Sequence, residues 1–331
     1  MILVTGGAGY IGSHCVVELL KQGEKVVVFD NLSTGSIDII KRLEKTAKRG
    51  QLKFVEGDLK SCDDINHMLE NNKIDAVIHF AAFSQVEESM REPYKYFQNN
   101  VSGTINLLDG MVEHGIKYII YSSSAAVYGE PKRFPIKETD DKKPINPYGL
   151  TKYTSEMILK DYDENNGIKS VSLRYFNVVG ANPDGITGEC HNPETHLVPK
   201  ILKSIKDNTC EFCIFGNDYV TPDGTCVRDY VDVNDLINAH ILALKYLKSG
   251  KQSNVFNVGS QNGSTVKEVF SACMNVTNTD IPCKICPRRA GDPPILCADT
   301  AKISEILHWK PKFTLEKSIQ NAWNWENRNV S

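Results

Sequence analysis

Short apolar runs alternate with longer amphipathic stretches along the first half of the chain. Ile2–Thr5, Lys25–Phe29, Leu52–Val55, Asp75–His79, Tyr118–Tyr121 and Ser170–Leu173 are β-branched and apolar, which predicts buried strands. Between them, apolar residues recur at i, i+3 and i+4 over roughly 10–22, 62–71, 93–113 and 148–165, which predicts helices. Repeated alternation of strand and helix implies parallel neighbours joined by crossovers, so the first half reads as a doubly wound α/β domain. Past residue 176 the rhythm breaks, with Gly, Pro and Asn enriched in 177–199 and 217–224. Strand-like pieces return at 211–215 and 255–258, and helical ones at 232–247 and 266–274. The expected division is a larger domain over 1–176, with return segments around 227–260, and a smaller α+β domain over 177–331.

Composition narrows the function classes. The 331 residues are 41% hydrophobic and 24% charged, with 38 Lys+Arg against 41 Asp+Glu, an ordinary globular balance with a net charge of −3. A nucleic-acid footprint needs a basic excess on one face, so no nucleic-acid or membrane-surface partner is expected. No run reaches the ~18 apolar residues of a membrane span, since Ala76–Phe83 already contains His79. Strand-like residues begin at Ile2 and run into a glycine loop, which leaves no room for a signal peptide. Ten scattered cysteines suggest reduced thiols and a cytoplasmic setting.

The glycines at 6, 9 and 12, in Gly6-Gly-Ala-Gly-Tyr-Ile-Gly12, follow the first strand and open the first helix. They allow a tight turn, close backbone approach to a pyrophosphate and close helix–strand packing. Asp30 ends the second strand 18 residues beyond Gly12, where an acid can bond the adenosine ribose hydroxyls. Such an acid repels a 2′-phosphate. A Rossmann-like domain binding NAD rather than NADP is therefore expected. Asp58 and Leu59 follow the third strand and could reach the adenine, although Asp58 could equally cap a helix. Phe80, Ala81 and Ala82 follow the fourth. Asn99 and Asn100 interrupt a predicted helix, where Asn is a poor former, and either a ligand bond or a solvated face would account for them.

Tyr148 and Lys152 lie at i, i+4 on a predicted helix that Pro147 opens, and Ser124 ends the fifth strand 24 residues upstream. A tyrosine with an ordinary pKa near ~10 is a poor base unless its phenolate is stabilised. One cation at 4 Å is worth about 4 kcal/mol at an effective dielectric of ~20, which would suffice. Lys152 and a nicotinamide ring are the two cations in view.

Together, Thr5–Ser13, Ser122–Tyr128, Pro147–Lys152, Leu173–Asn177, Ile214–Asp218 and Val227–Val231 resemble the extended short-chain dehydrogenase/reductase family from Ile2 to about Trp325. Within it, the 4-epimerases of UDP-hexoses are the most similar. The resemblance implies a tightly held NAD, with Tyr148 as base, Ser124 bonding the sugar 4-hydroxyl and Lys152 holding the nicotinamide ribose and depressing the tyrosine pKa. It also places Tyr10, Ile11, Asn31, Ser84, Ser122 and Phe176 at the cofactor. Ser84 stands where relatives often carry Lys. At the UDP-sugar it implies Asn177, His196, Leu197, Arg228 and Arg289 near the diphosphate and sugar. Phe215 and the Cys213 backbone fall at the uracil, and Asp292 at the uridine ribose. Homologous enzymes form homodimers by packing helices equivalent to 93–113 and 148–165.

His196 replaces an Asn of many relatives and either bonds the diphosphate region or fills space. Leu296 aligns with the residue that gates the sugar pocket, with Cys297 the choice after a one-residue slip; a residue smaller than Tyr there implies tolerance of an N-acetyl group. Cys210-x-x-Cys213 and Cys283-x-x-Cys286 are seventy residues apart in strand-like runs, where i and i+3 face opposite sides, so no metal site is expected from them. Two rival readings are a nucleotide-sugar 4,6-dehydratase or decarboxylase and a catalytically silent dinucleotide sensor. Elimination needs acids just after the active serine, where this chain has Ala125 and Ala126.

Overall fold

A computed structural model describes residues 1–191, 193–207, 212–288 and 293–328. The first half runs β1 (Ile2–Thr5), α1 (Tyr10–Lys21), β2 (Val26–Asp30), α2 (Ile37–Thr46), β3 (Leu52–Glu56), α3 (Cys62–Glu70) and β4 (Ala76–His79). It continues through α4 (Val86–Arg91), α5 (Pro93–Tyr96), a π-helical turn (Phe97–Ser102), α6 (Gly103–Glu113), β5 (Tyr118–Ser122), a 3₁₀ turn (Ala125–Tyr128), α7 (Pro147–Asn166) and β6 (Lys169–Tyr175). The remainder comprises β7 (Asn177–Val179), α8 (Leu197–Lys206), β8 (Phe212–Phe215), β9 (Val227–Asp232), α9 (Val233–Lys248) and β10 (Asn254–Val258). It closes with β11 (Gly263–Thr265), α10 (Val266–Thr277), β12 (Cys283–Cys286), β13 (Ile295–Leu296), α11 (Ala301–Leu307) and α12 (Leu315–Glu326).

Seven strands form the main sheet in the order β10-β6-β5-β4-β1-β2-β3, and β1 to β6 pair in parallel. The doubly wound sheet is thus present. Strand order reverses between β1 and β4, and the crevice at the carboxyl ends of those two strands is where such sheets take ligands. Among the described residues five helices were not anticipated: α2, capped by Ser36, which accepts from the Asp38 amide at 3.2 Å, the short α4, and α8, α11 and α12. The helix expected over 93–113 is not continuous, because Phe97–Ser102 widens into a π turn around the two asparagines.

The backbone divides into two compact units, one of residues 1–129, 141–174 and 237–256, the other of 130–140, 175–236 and 257–331. In the first, Leu3, Val27, Phe29, Val77 and Ile119 of the sheet pack with Ile65, Leu107, Met111 and Leu159 of the flanking helices. In the second, Val198, Ile201 and Leu202 pack with Val269, Cys273 and Ile319. There β11, β9 and β13 form a small sheet, β7 also pairs with β9, and β8 pairs with β12. The parallel β8·β12 register sets Cys213 against Lys284 and Phe215 against Cys286. Cys213 and Cys286 then share a face, and they form a disulfide with Cα atoms 6.0 Å apart. This corrects the expectation of reduced thiols at those two positions; Cys210 lies outside the described residues. Among the described residues no helix is long and apolar enough to cross a membrane.

Candidate active site

Two local constraints bring Ser124 and Tyr148 together. Asn146 caps α7, its side chain accepting from the Gly149 amide at 2.8 Å, and Pro147 sits at the first helical position. Ser124 is extended and caps the 3₁₀ turn, its Oγ accepting from the Ala126 amide at 3.1 Å. A side-chain carbon on Gly149 would stand 2.5 Å from the Ala126 carbonyl oxygen, so the turn and α7 touch only because residue 149 is glycine. Burial pushes the Tyr148 phenol above its ordinary pKa, and the neighbouring Ser124 hydroxyl pulls it back down.

Lys152 lies one turn on and is 2% exposed. Its Nζ donates to the Ser122 carbonyl at 2.7 Å and sits 4.9 Å from the centre of the Tyr121 ring. Burial lowers its pKa to about 7, against the opposing charge of Glu156. One of its three ammonium donors is used on that carbonyl.

The dinucleotide loop tests its ligand directly. Gly6 has φ +70°, and a Cβ there would meet the Ala81 amide nitrogen at 2.7 Å; at Gly12 a Cβ would meet the Gly6 oxygen at 2.1 Å. Both glycines are required by the protein's own backbone. Gly9 differs, since its Cβ would meet only the Gly6 oxygen, at 3.3 Å. The room left there, at the start of α1, is a cradle for a diphosphate. Asp30 is buried, its carboxylate accepting from the Ala8 amide at 3.0 Å and the Leu32 amide at 2.8 Å, and burial raises its pKa. Asn31 donates to Asp58 at 3.1 Å. Asp58 does not cap α3; Ser61 does, while Asp58 accepts from the Lys60 amide at 2.8 Å. These residues fit NAD.

The other expected cofactor residues are distributed around the same strand ends. Tyr10 and Ile11 open α1, Leu59 is buried, and Phe80, Ala81 and Ala82 are half-buried after β4. Ser84 is exposed and Asn99 donates to Asn100 at 3.0 Å. Ser122 is fully buried, its hydroxyl lies 2.9 Å from His240 and its carbonyl holds Lys152.

In the second unit, Phe176 is buried and its amide donates to Val258. Asn177 is exposed at the start of β7. Arg228 and Leu296 are register partners in the β9·β13 ladder. The Cys297 thiol packs where a Gly263 side chain would lie, on the opposite strand face from Leu296. Phe215 is half-buried and Leu197 is the first residue of α8. His196 is the residue before α8, and its Nδ1 is 2.8 Å from Glu189 and 2.8 Å from Glu194. It thus sits in a cluster with two carboxylates. Arg289 and Asp292 lie outside the described residues.

A family model described as GDP-mannose 4,6 dehydratase matches residues 3–322. A UDP-glucose 4-epimerase of Lacticaseibacillus casei is 50% identical over 325 residues, 98% of this chain and 96% of its own. The chain belongs to the UDP-glucose 4-epimerase family. The UDP-glucose 4-epimerase of Bifidobacterium longum, solved with NAD+ and UDP, superposes with a TM-score of 0.92 at 37% identity, covering 99% of this chain and 98% of that one. The UDP-Glc/GlcNAc 4-epimerase of Campylobacter jejuni gives 0.87 at 41% identity, covering 98% of each.

Two further residues support this epimerase-family site. Asn100 accepts from the Phe83 amide and donates to the Phe83 carbonyl, both at 2.9 Å, and reaches Thr151 at 3.2 Å, so it ties the β4 loop to α7. His79 bridges Thr5 at 2.6 Å and Thr104 at 3.0 Å, and burial drops its pKa to about 3. Asn100 carried a signal, an awkward residue in a helix; His79, placed in a strand, carried none.

Proposed function

We propose that Tyr148, Ser124 and Lys152 carry out the 4-epimerisation of UDP-hexoses, interconverting UDP-galactose and UDP-glucose through a 4-keto intermediate. The chain is an NAD-dependent isomerase of the UDP-glucose 4-epimerase type. The neighbouring Ser124 and Tyr148 hydroxyls are the observation that supports the residue assignment, because a donor beside a base suits one sugar alcohol. NAD, when bound, would supply the hydride acceptor and donor for sugar C4. Tyr148 Oη receives the proton of the 4-hydroxyl and gives it back. Ser124 would bond the same oxygen, and Lys152 would hold the nicotinamide ribose. Ala125 and Ala126 leave no acid or base beside Ser124, which supports epimerisation over elimination; the intact trio speaks against a silent sensor.

Asn177, Arg228 and Arg289 are proposed to anchor the diphosphate, where arginine offers a planar fork to phosphate oxygens. Phe215 and the Cys213 backbone would take the uracil, Asp292 the uridine ribose and Leu197 a place beside the sugar nucleotide. Leu296, beside Arg228 in the ladder, is proposed to leave space for an N-acetyl group. Residues 1–176 would then serve NAD and 177–331 the UDP-sugar.

We further infer a homodimer built on α6 and α7 and a cytoplasmic location. Met157 is 49% exposed and Leu150 41% exposed on α7, which supports an apolar partner for that face. Cys15, Cys62, Cys226, Cys273, Cys283 and Cys297 are free thiols, which supports a reducing compartment. Assay of purified enzyme with UDP-galactose tests the function. Production of UDP-glucose without net NADH release supports it, and release of stoichiometric NADH or loss of water from the sugar overturns it.

A further inference from the structure

The segment before α8 carries a doubled pattern, Glu189-Cys-His191 and Glu194-Thr-His196, with a carboxylate two positions before each imidazole. One ligand atom from each of these four side chains lies within 4.8 Å of all the others. The His191 Nδ1 is 2.9 Å from Glu189 Oε1. The His196 Nδ1 is 2.8 Å from the same oxygen and 2.8 Å from Glu194 Oε1. A single imidazole nitrogen has at most one proton to donate. A protonated His196 pairs with both carboxylates through that one atom, and the same arrangement suits a metal cation in the proton's place.

A divalent cation suits the four side chains. Two carboxylates cancel its charge, and two neutral imidazoles complete four donors of the N and O types that zinc accepts. Zinc-to-ligand distances of ~2.0–2.1 Å put tetrahedral donors about 3.4 Å apart. The three separations of 2.8–2.9 Å need to open by roughly half an ångström, while the four donors, all within 4.8 Å of one another, draw in at the wider pairs to admit the ion. The carboxylates are held ready, with Glu189 8% and Glu194 10% exposed, while His191 and His196 are 24% and 43% exposed and leave an entry path. Outer bonds fix the ligands, as metal sites require. Glu194 Oε1 accepts from the Thr195 and His196 amides at 2.7 Å, and the Glu189 carbonyl accepts from Trp325 Nε1 of α12 at 3.0 Å. Calcium and magnesium prefer all-oxygen shells, so the two nitrogens favour zinc, cobalt or nickel.

We propose that Glu189, His191, Glu194 and His196 bind one divalent transition-metal ion of the zinc class, a structural clamp that fastens the segment before α8 to the start of that helix. This site uses no atom assigned to NAD and stands independently of the epimerase reading in every residue but His196.

The test strips the full-length protein with chelator and titrates it with cobalt(II), then displaces the cobalt with zinc. The expected result is one equivalent bound, visible tetrahedral cobalt bands without a thiolate charge-transfer band, and a zinc-dependent rise of several degrees in Tm. His191→Gln and Glu194→Gln, each checked for fold by circular dichroism, should weaken binding by at least ~100-fold and abolish the rise in Tm. Absence of cobalt binding to the wild type, a thiolate band that assigns the ion to cysteines, or binding unchanged in both variants would overturn the proposal.

Discussion

Arg174 grips Glu156 with two hydrogen bonds, Nε to Oε1 at 2.9 Å and an Nη to Oε2 at 2.5 Å, with the two side chains only 4% and 6% exposed. The same carboxylate accepts from Ser123 at 2.5 Å, and Arg174 also donates to Tyr128 at 2.9 Å. Glu156 lies one turn beyond Lys152 on α7, and Ser123 precedes Ser124. The pair thus locks the end of β5 to the helix that carries the phenol. Removing one partner leaves a buried charge, so Glu156→Gln should cost about 3–5 kcal/mol in urea unfolding. The double variant Glu156→Leu, Arg174→Met should recover most of that loss. Equal destabilisation of single and double variants would show that packing, not charge, dominates.

Burial of Lys152 has a signed pH consequence. Its folded pKa is about 7, against an ordinary value of 10.5. Between those values the unfolded chain binds a proton that the folded chain refuses, so this residue's contribution to stability rises with pH across that window. Lys152→Met should therefore stabilise cofactor-free protein at pH 7, and the advantage should shrink by up to ~1.36 kcal/mol per pH unit as pH rises. Urea titrations at pH 7 and pH 9 measure it; an advantage that grows with pH contradicts the account. The same variant should lose turnover.

Glycines 9 and 12 separate two jobs. Gly12→Ala drives a carbon to 2.1 Å from the Gly6 oxygen and should lower stability as well as NAD content. Gly9→Ala meets nothing closer than 3.3 Å and should fold with near-normal stability while losing at least ~100-fold in NAD affinity, since a methyl would occupy the diphosphate cradle. Fluorescence titration with NAD beside thermal melts distinguishes them.

The parallel sheet, the dinucleotide loop and the Tyr148–Lys152 face were legible in the sequence because period, glycine spacing and i, i+4 geometry are local properties. The contact of Gly149 with Ala126 was not, although it sets the Ser124–Tyr148 approach, since it depends on where a loop lands. The π turn was visible only as two misplaced asparagines. The Glu156–Arg174 pair joins residues on different elements with no shared motif. The Cys213–Cys286 disulfide follows from the register of two short strands, which sequence spacing alone does not supply.

Leu296 sets a specificity expectation. UDP-N-acetylglucosamine should be used with kcat/KM within about a thousandfold of UDP-glucose, a gap of no more than ~4 kcal/mol. Leu296→Tyr should cut the acetylated substrate by ~100-fold and leave UDP-glucose within a few fold. Equal losses on both sugars would remove Leu296 as the gate.

The central claim is that the Tyr148 phenol, beside Ser124, moves the proton of the sugar alcohol. Its most direct test is steady-state turnover of UDP-galactose by Tyr148→Phe, with bound NAD quantified in the same preparation. The account predicts a fall in kcat of ~10²–10⁴ with NAD retained. A variant that holds NAD and turns over within a few fold of the parent would contradict it.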